Sequence, residues 1–408
     1  MASLVSGWQT WRTAMERALY GEDGFYRRGE RPAEHFRTSV HASPRFAAAL
    51  TRLLVDVDDL LGRPDRLDLV DIGAGSGHLL KNILACAPAG LASRLAPVAV
   101  EIAPRPAEIP SDIVWRPDLP ARITGLAVAN EWLDNVPLDV VEHTPDGVRT
   151  VLVDPSTGTE RPGPPPSDKD NDWLQRWWPL REPGDRAEIG HPRCAAWASV
   201  VRRLSRGLAI AVDYSHSRET RPVYGTLAGY RDGATVPAVP DGSCDVTAHV
   251  ALDACAAEGE RAGATSTLLT TQRDALRALG LSGTRPPLDL AHRDPRAYVA
   301  ALCHAGEDAE LTDPSGLGGF GWLAQSVDIP IPPVLPQPPT PPVSHRPGSG
   351  QRTRNHPHPV PQHPPRLRPS AAPLMHHPGC GSTRNKPPST RQPRSTPSPA
   401  APLGRISK

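Results

Sequence analysis

The chain has 408 residues, with 45 Lys or Arg against 44 Asp or Glu, six cysteines and 50 prolines. Its near-neutral total hides a split: residues 330–408 hold 23 prolines and 11 Lys or Arg with no acid, leaving 34 basic residues against all 44 acids elsewhere. That acidic remainder argues against nucleic acid as a main partner, because phosphate binding needs clustered Lys and Arg; it suits a cationic ligand. The proline-rich end cannot bury enough apolar surface to fold and reads as a disordered tail over 329–408.

Cys86, Cys194, Cys244, Cys255, Cys303 and Cys380 show neither a C-x-x-C pair nor metal-ligand spacing. They read as reduced thiols, and no metal is expected. No stretch approaches the roughly 18 apolar residues of a membrane span, and no signal-type apolar core opens the chain, so a cytoplasmic protein without a membrane partner is expected.

In chain order, Trp8, Trp11, Met15 and Leu19 fall at helical spacing and predict an amphipathic helix over 4–20. A second helix is expected from Arg45 to about Leu61, with Phe46, Leu50, Leu53, Leu54 and Val57 on one side and Ser43-Pro44 as its cap and first turn. Residues 1–62 are expected to form a helical extension or lid ahead of a main domain over 63–328. Apolar runs at 67–72, 98–102, 112–115, 125–129 and 208–212 alternate with helical stretches, the pattern of a parallel, doubly wound sheet. Residues 140–153 read as a hairpin turning at Pro145-Asp-Gly147 within an insertion over about 138–190, in which Trp173, Trp177 and Trp178 pack against the sheet. A second insertion covers about 214–245. Residues 247–258 read as helix, 266–270 as strand, 292–311 as helix and 319–325 as the last strand.

The stretch Leu67-Asp-Leu-Val-Asp71-Ile-Gly73-Ala74-Gly75-Ser-Gly77-His-Leu-Leu80 reads as a buried strand, a glycine turn and a helix start. Glycines at alternate positions admit a ligand to the backbone, and the helix N-terminus offers free N–H groups. The third glycine comes one residue too early for the dinucleotide fingerprint, which would place it at His78. The G-x-G-x-G form behind Asp71 resembles motif I of class I S-adenosylmethionine-dependent methyltransferases. About one βαβ unit further on, Glu101 closes an apolar strand, where a carboxylate can accept both hydroxyls of a ribose. Asp118 and Leu119, in the loop after the third strand, are candidates to contact adenine.

Several blocks resemble the MidA-like methyltransferases, relatives of the mitochondrial complex I assembly-factor arginine methyltransferase. They are Ala129-Asn130-Glu131-Trp-Leu-Asp134-Asn-Val-Pro137, Phe36-Arg-Thr38-Ser39-Val-His-Ala-Ser43-Pro44-Arg-Phe46 and Val212-Asp213-Tyr214. Gly225-Thr-Leu-Ala-Gly-Tyr230-Arg231, Asp245-Val-Thr-Ala-His249-Val250 and Gln272 continue the series, so the resemblance runs from about residue 8 to 326. Ser215, Arg37 and Gly229 depart from the family's pattern. The resemblance implies a class I, Rossmann-like fold with a mostly parallel seven-stranded sheet, S-adenosyl-L-methionine as methyl donor and, as in its eukaryotic members, an arginine of a protein as acceptor. A small-molecule acceptor fits the same motifs, as does a cofactor-binding assembly factor with little catalysis.

Glu131 and Asp134 lie three apart beyond the fourth strand, where one helical turn places both carboxylates on one face. A guanidinium is a planar fork of donors that fits such a pair. The expected catalytic acids are therefore Glu131 and Asp134. The expected cofactor residues are Asp71, Gly73, Ala74, Gly75, Gly77, Glu101, Asp118, Leu119 and Asn130, while Thr38, Ser39, Asp213, Tyr214 and His249 are expected in a substrate pocket or lid.

Overall fold

The computed structural model describes residues 7–27 and 38–337. The expectations for residues 4–6, for Phe36-Arg37 and for 338–408 lie outside the described residues. The central sheet has seven strands: β1 (Leu67–Ile72), β2 (Leu95–Val100), β3 (Val114–Arg116), β4 (Ile123–Asn130), β5 (Leu204–Asp213), β6 (Ser266–Thr271) and β7 (Gly321–Val327). They run in the order β6-β7-β5-β4-β1-β2-β3. β1 to β5 pair in parallel, and β7 is antiparallel to both β5 and β6. This is the mostly parallel, doubly wound sheet that the alternating pattern predicts.

The helices that cover it are α2 (Pro44–Leu60), α3 (His78–Cys86), α4 (His191–Arg203), α5 (Leu252–Arg261), α6 (Gln272–Ala278) and α7 (Pro295–Leu311), with α1 (Trp11–Tyr20) in the N-terminal extension. Side chains alternate across a strand, so each central strand feeds two cores. Leu208, Ile210 and Val212 of β5 pack on the face of α2, α3 and α6, while Ala209 and Ala211 pack on the face of α4 and α5. Large residues face the thicker helical layer, and alanines let Trp197 of α4 approach the other side. Ser43 caps α2 as its sequence suggests: its Oγ accepts from Arg45 N at 2.9 Å, with Pro44 in the first turn.

Three local expectations change. Trp8 lies before α1, because Thr10 caps the helix and residues 9–10 pair as a short strand with Val153 and Leu152. The helix expected over 247–258 begins at Leu252; β-branched Val246, Thr247 and Val250 instead enter the short strands Asp245–Thr247 and Val250–Ala251. The packed chain also continues past 328, since Ile329, Ile331 and Leu335 are buried in the same core as Leu208, Ile210 and Val212.

The first insertion forms the expected hairpin, Val140–Thr144 with Gly147–Val153. Its apolar face packs on Trp11, Met15 and Leu19 of α1, so the N-terminal extension is anchored beside the sheet's carboxyl edge. Trp173 and Trp178 are buried with Trp197 in the core on this face of the sheet, while Trp177, also expected there, is half-buried against it with the guanidinium groups of Arg176 and Arg218 over its ring. Strand order reverses between β1 and β4, and a ligand crevice forms where such a reversal meets the carboxyl ends of the strands.

Candidate active site

A cavity of about 980 Å³ opens at that reversal. Its first side is the glycine turn. Gly73, Gly75 and Gly77 all have left-handed backbone, with φ of 70°, 54° and 73°. A Cβ on Gly73 would stand 2.8 Å from Trp132 Cδ1, so glycine lets the turn close against the residue that follows Glu131. A Cβ on Gly75 would meet nothing within 4 Å, which leaves open space above the backbone for a ligand. Gly77 does not line the cavity; it begins α3, wedged beside Ile109 and Trp115.

Glu101, just beyond β2, joins this side. Its two oxygens accept from Gly75 N and Ala103 N, each at 2.8 Å, so the acid that could receive a ribose also fixes the glycine turn. Burial raises its pKa against those two bonds, and burial together with Glu101 lifts Asp71 to about 7. Ala74, Asp118, Leu119 and Asn130 line the same space. Asn130 Oδ1 is buried without a hydrogen-bond partner, while its Nδ2 donates to Glu131 Oε1 at 3.0 Å.

The second side begins at Glu131, whose φ of 51° is unusual for a residue with a side chain. Its amide donates to Val212 O at 2.8 Å, and its Oε1 also accepts from Ser39 N at 3.0 Å. Strain held by surrounding bonds is typical of functional positions. Burial, and less strongly Asp134, raise the Glu131 carboxyl to about 8. Asp134 lies in a 3₁₀ turn over Leu133–Asn135 rather than an α-helical one. Its Oδ2 accepts from Thr247 Oγ1 at 2.8 Å, its Oδ1 has no partner, and burial raises its pKa. Tyr214 and Thr38 complete the expected residues that reach the cavity.

Four expected residues lie behind the wall. Gly77 has been placed at α3, and Ser39 is fully buried; its amide holds Glu131 while its hydroxyl donates to Gln272 Oε1 at 2.9 Å. Asp213 is also fully buried, and its Oδ2 accepts from the amides of Leu133 and Asp134 at 2.9 and 3.3 Å, so it fixes the 133–134 turn and touches no ligand space. His249 stacks on Tyr214 with centroids 5.6 Å apart. Arg193, 1% exposed, ties that turn to the next segment by donating to the carbonyls of Asp134, Val136, Ala248 and His249. Tyr20, Tyr26, Asn135 and Asp245 also line the cavity and were not among the expected site residues. Asp245 stood in a recognisable block; the two tyrosines carried no local signal.

A sequence profile of the family described as "Putative S-adenosyl-L-methionine-dependent methyltransferase" matches residues 49–270, more than half of the chain. The chain belongs to this family. S-adenosyl-L-methionine is therefore its methyl donor. A COG1565 superfamily member from Burkholderia thailandensis bound to S-adenosyl-homocysteine is similar in structure, with a TM-score of 0.67 and 26% identity over 79% of this chain and 89% of that one. A second COG1565 superfamily structure from the same organism gives 0.66 and 26% identity over 79% and 88%. No curated protein matches the chain. Among the described residues no helix is long and apolar enough to cross a membrane.

The methyltransferase cofactor fits the first side of the cavity. It carries an adenosine, a sulfonium and an amino acid end, and the open face at Gly75, the carboxylate at Glu101 and the unpartnered Asn130 Oδ1 offer a backbone cradle and acceptors for it.

The buried acids give this methyltransferase a pH signature. Asp71, Glu131 and Asp245 hold protons in the folded state up to about 7, 8 and 8, whereas an unfolded chain releases them near 4. The folded state thus binds more protons across that window, and its stability falls as pH rises. His41, His216 and His249 are shifted down and oppose this trend only below their ordinary value near 6.5. The melting temperature of the unliganded protein is therefore expected to drop between pH 7 and 8.5 in calorimetric scans, and a flat or rising profile would contradict the protonation states described.

Proposed function

We propose that the protein transfers a methyl group from S-adenosyl-L-methionine to a guanidinium nitrogen of an arginine in a protein substrate. The observation that supports this reading is Glu131: a buried carboxylate, aligned by Ser39 N and Asn130 Nδ2, lining the cavity beside Asp134 where the glycine turn meets the acidic side. Isolated acids in a buried recess lose hydration, so a cation that pairs with them is favoured over a neutral acceptor.

The cofactor supplies an electrophilic methyl on a sulfonium that departs as a neutral thioether. Glu131 orients the acceptor through the oxygen that Ser39 and Asn130 do not occupy, and Asp134, whose Oδ1 has no partner, lines the same space. As the nitrogen–methyl bond forms and the sulfur–methyl bond breaks, the bonding electrons pass to sulfur and the surplus N–H proton passes to Glu131. Burial raises this carboxyl in the empty site, and a guanidinium bound beside it favours the ionised form, so the acceptor's own charge readies Glu131 to take that proton. Burial of the pair keeps water from competing for the methyl.

The test is incubation of the purified protein with methyl-labelled cofactor and a lysate from cells lacking it, followed by amino-acid analysis of the protein fraction. Label in methylarginine is expected. Label confined to small molecules would favour a small-molecule acceptor. Undiminished cofactor binding with no label anywhere would favour the assembly-factor reading.

A further inference from the structure

The cavity's acidic side has a floor that the catalytic pair does not use. Asp245, 2% exposed, lines it, and its Oδ1 accepts from Asn135 Nδ2 at 2.8 Å. The Tyr26 hydroxyl lies 3.0 Å from Asp245 Oδ2 and 2.9 Å from Asn135 Oδ1. Tyr20 donates its hydroxyl to the Asn135 carbonyl at 3.0 Å, and the two tyrosine rings stack with centroids 5.7 Å apart and planes 18° from parallel. Next to this floor is Asp134, 5% exposed, with Oδ1 unpartnered.

Two features say what this floor lacks. Among the described residues no Lys or Arg forms an ion pair with Asp134 or Asp245, and the nearby Arg193 guanidinium is spent on main-chain carbonyls. Each oxygen of Asp245 accepts one bond from its neighbours and keeps a second acceptor direction. Arg193 offsets part of the charge of Asp134, whereas among the described residues only Asp134, Tyr26 and Asn135 act on the buried Asp245. Burying that acid without a cation of its own is costly, and a ligand that brings one relieves the cost. A compact ammonium could satisfy one carboxylate at a time, whereas a guanidinium offers a fork of five donors and a flat face that suits an aromatic wall.

We propose that Asp245, held by Asn135 and Tyr26, is a specificity-determining residue that grips the acceptor's guanidinium together with Asp134, so that the N-terminal extension helps select the acceptor. The inference rests on the proposed arginine methylation. It adds a second anchor, remote from Glu131 in sequence, that recognises the cation without accepting its proton. Burial, and next Asp134, raise Asp245 to about 8, as expected for a carboxyl waiting for a counter-charge.

The test uses protein loaded with S-adenosyl-homocysteine, titrated in a calorimeter with N-acetylarginine methylamide or with the neutral citrulline analogue of the same shape. Wild type is expected to prefer the arginine compound by about tenfold or more, in line with charge-assisted bonds. Asp245→Asn should lose at least about tenfold for the arginine compound, with citrulline and S-adenosyl-homocysteine affinities changed less than about threefold. Tyr26→Phe, which leaves the carboxylate in place but removes its hydroxyl support, should lose a few-fold, and its retained S-adenosyl-homocysteine binding reports an intact fold. Unchanged arginine affinity in both variants would overturn the role of Asp245 and leave arginine methylation standing. Equal binding of the arginine and citrulline compounds by wild type would overturn the guanidinium reading itself.

Discussion

Glu131→Gln is expected to lower methyl transfer by roughly 10²–10⁴-fold, the range that a positioned acid or base contributes. The substitution keeps the volume and a carbonyl oxygen that can still accept from Ser39 N and Asn130 Nδ2. It removes the charge that attracts a cation and the site that receives its proton. Because a glutamine oxygen can keep the bond from Asn130 Nδ2 that links this residue to the cofactor side, affinity for S-adenosyl-homocysteine should stay within a few-fold of wild type. Initial rates and calorimetry on the same preparation separate the two effects. Rates within threefold of wild type would remove Glu131 from the chemistry. The variant should also flatten the fall in melting temperature between pH 7 and 8.5, since it deletes one of the buried groups that titrates there.

The second large effect falls on the cofactor. Glu101→Ala removes the acceptor of two short backbone bonds, from Gly75 and Ala103, and with it the carboxylate expected to take the ribose hydroxyls. Hydrogen bonds to a charged group contribute about 1.5–3 kcal/mol each, so affinity for S-adenosyl-homocysteine should fall about a hundredfold or more. Burial costs Glu101 some of its acidity, yet the two amides oppose that shift. Glu101→Gln keeps one acceptor oxygen and should lose less. Calorimetric affinities for both variants within threefold of wild type would show that the glycine turn binds the cofactor without this acid.

How much of this was visible in the sequence depends on how far each signal reaches along the chain. The sheet was legible because strands advertise themselves locally: Leu208, Ile210 and Val212 alternate with Ala209 and Ala211, and glycines at 73, 75 and 77 mark the turn after Asp71. Ser43-Pro44 fixed the start of α2 for the same reason, since a cap acts within one turn. The acceptor floor was not legible. Tyr26 and Asp245 are 219 residues apart, and only the packing of α1 on the inserted hairpin brings them to one wall. Asp213 was misplaced for a related reason: an acid at a strand end looks ligand-facing, but two backbone amides of the neighbouring turn claim it. The late end of the packed chain escaped notice because Ile329, Ile331 and Leu335 are spaced among prolines, and proline content dominated the reading there.

Glu131 and Asp134 also show where periodicity misleads. Three residues apart suggested one face of an α-helical turn, yet Glu131 takes a left-handed conformation and Asp134 follows in a 3₁₀ turn. Both carboxylates still reach the cavity, because the turn is braced by Asp213 from one side and Arg193 from the other. The site is thus assembled by buried charges that never meet a ligand, and substitutions of those two residues should act through the position of Asp134.

A crystal structure with S-adenosyl-homocysteine bound tests most directly whether one cavity sets the cofactor against the acidic side. The ribose is expected on Glu101 and the homocysteine over Gly73 to Gly75, with the sulfur turned toward Glu131 so that an acceptor nitrogen can approach to about 3–3.5 Å of a methyl carried there. An adenosyl group seated instead among Tyr26, Asn135 and Asp245, or a sulfur turned away from Glu131, would contradict the account.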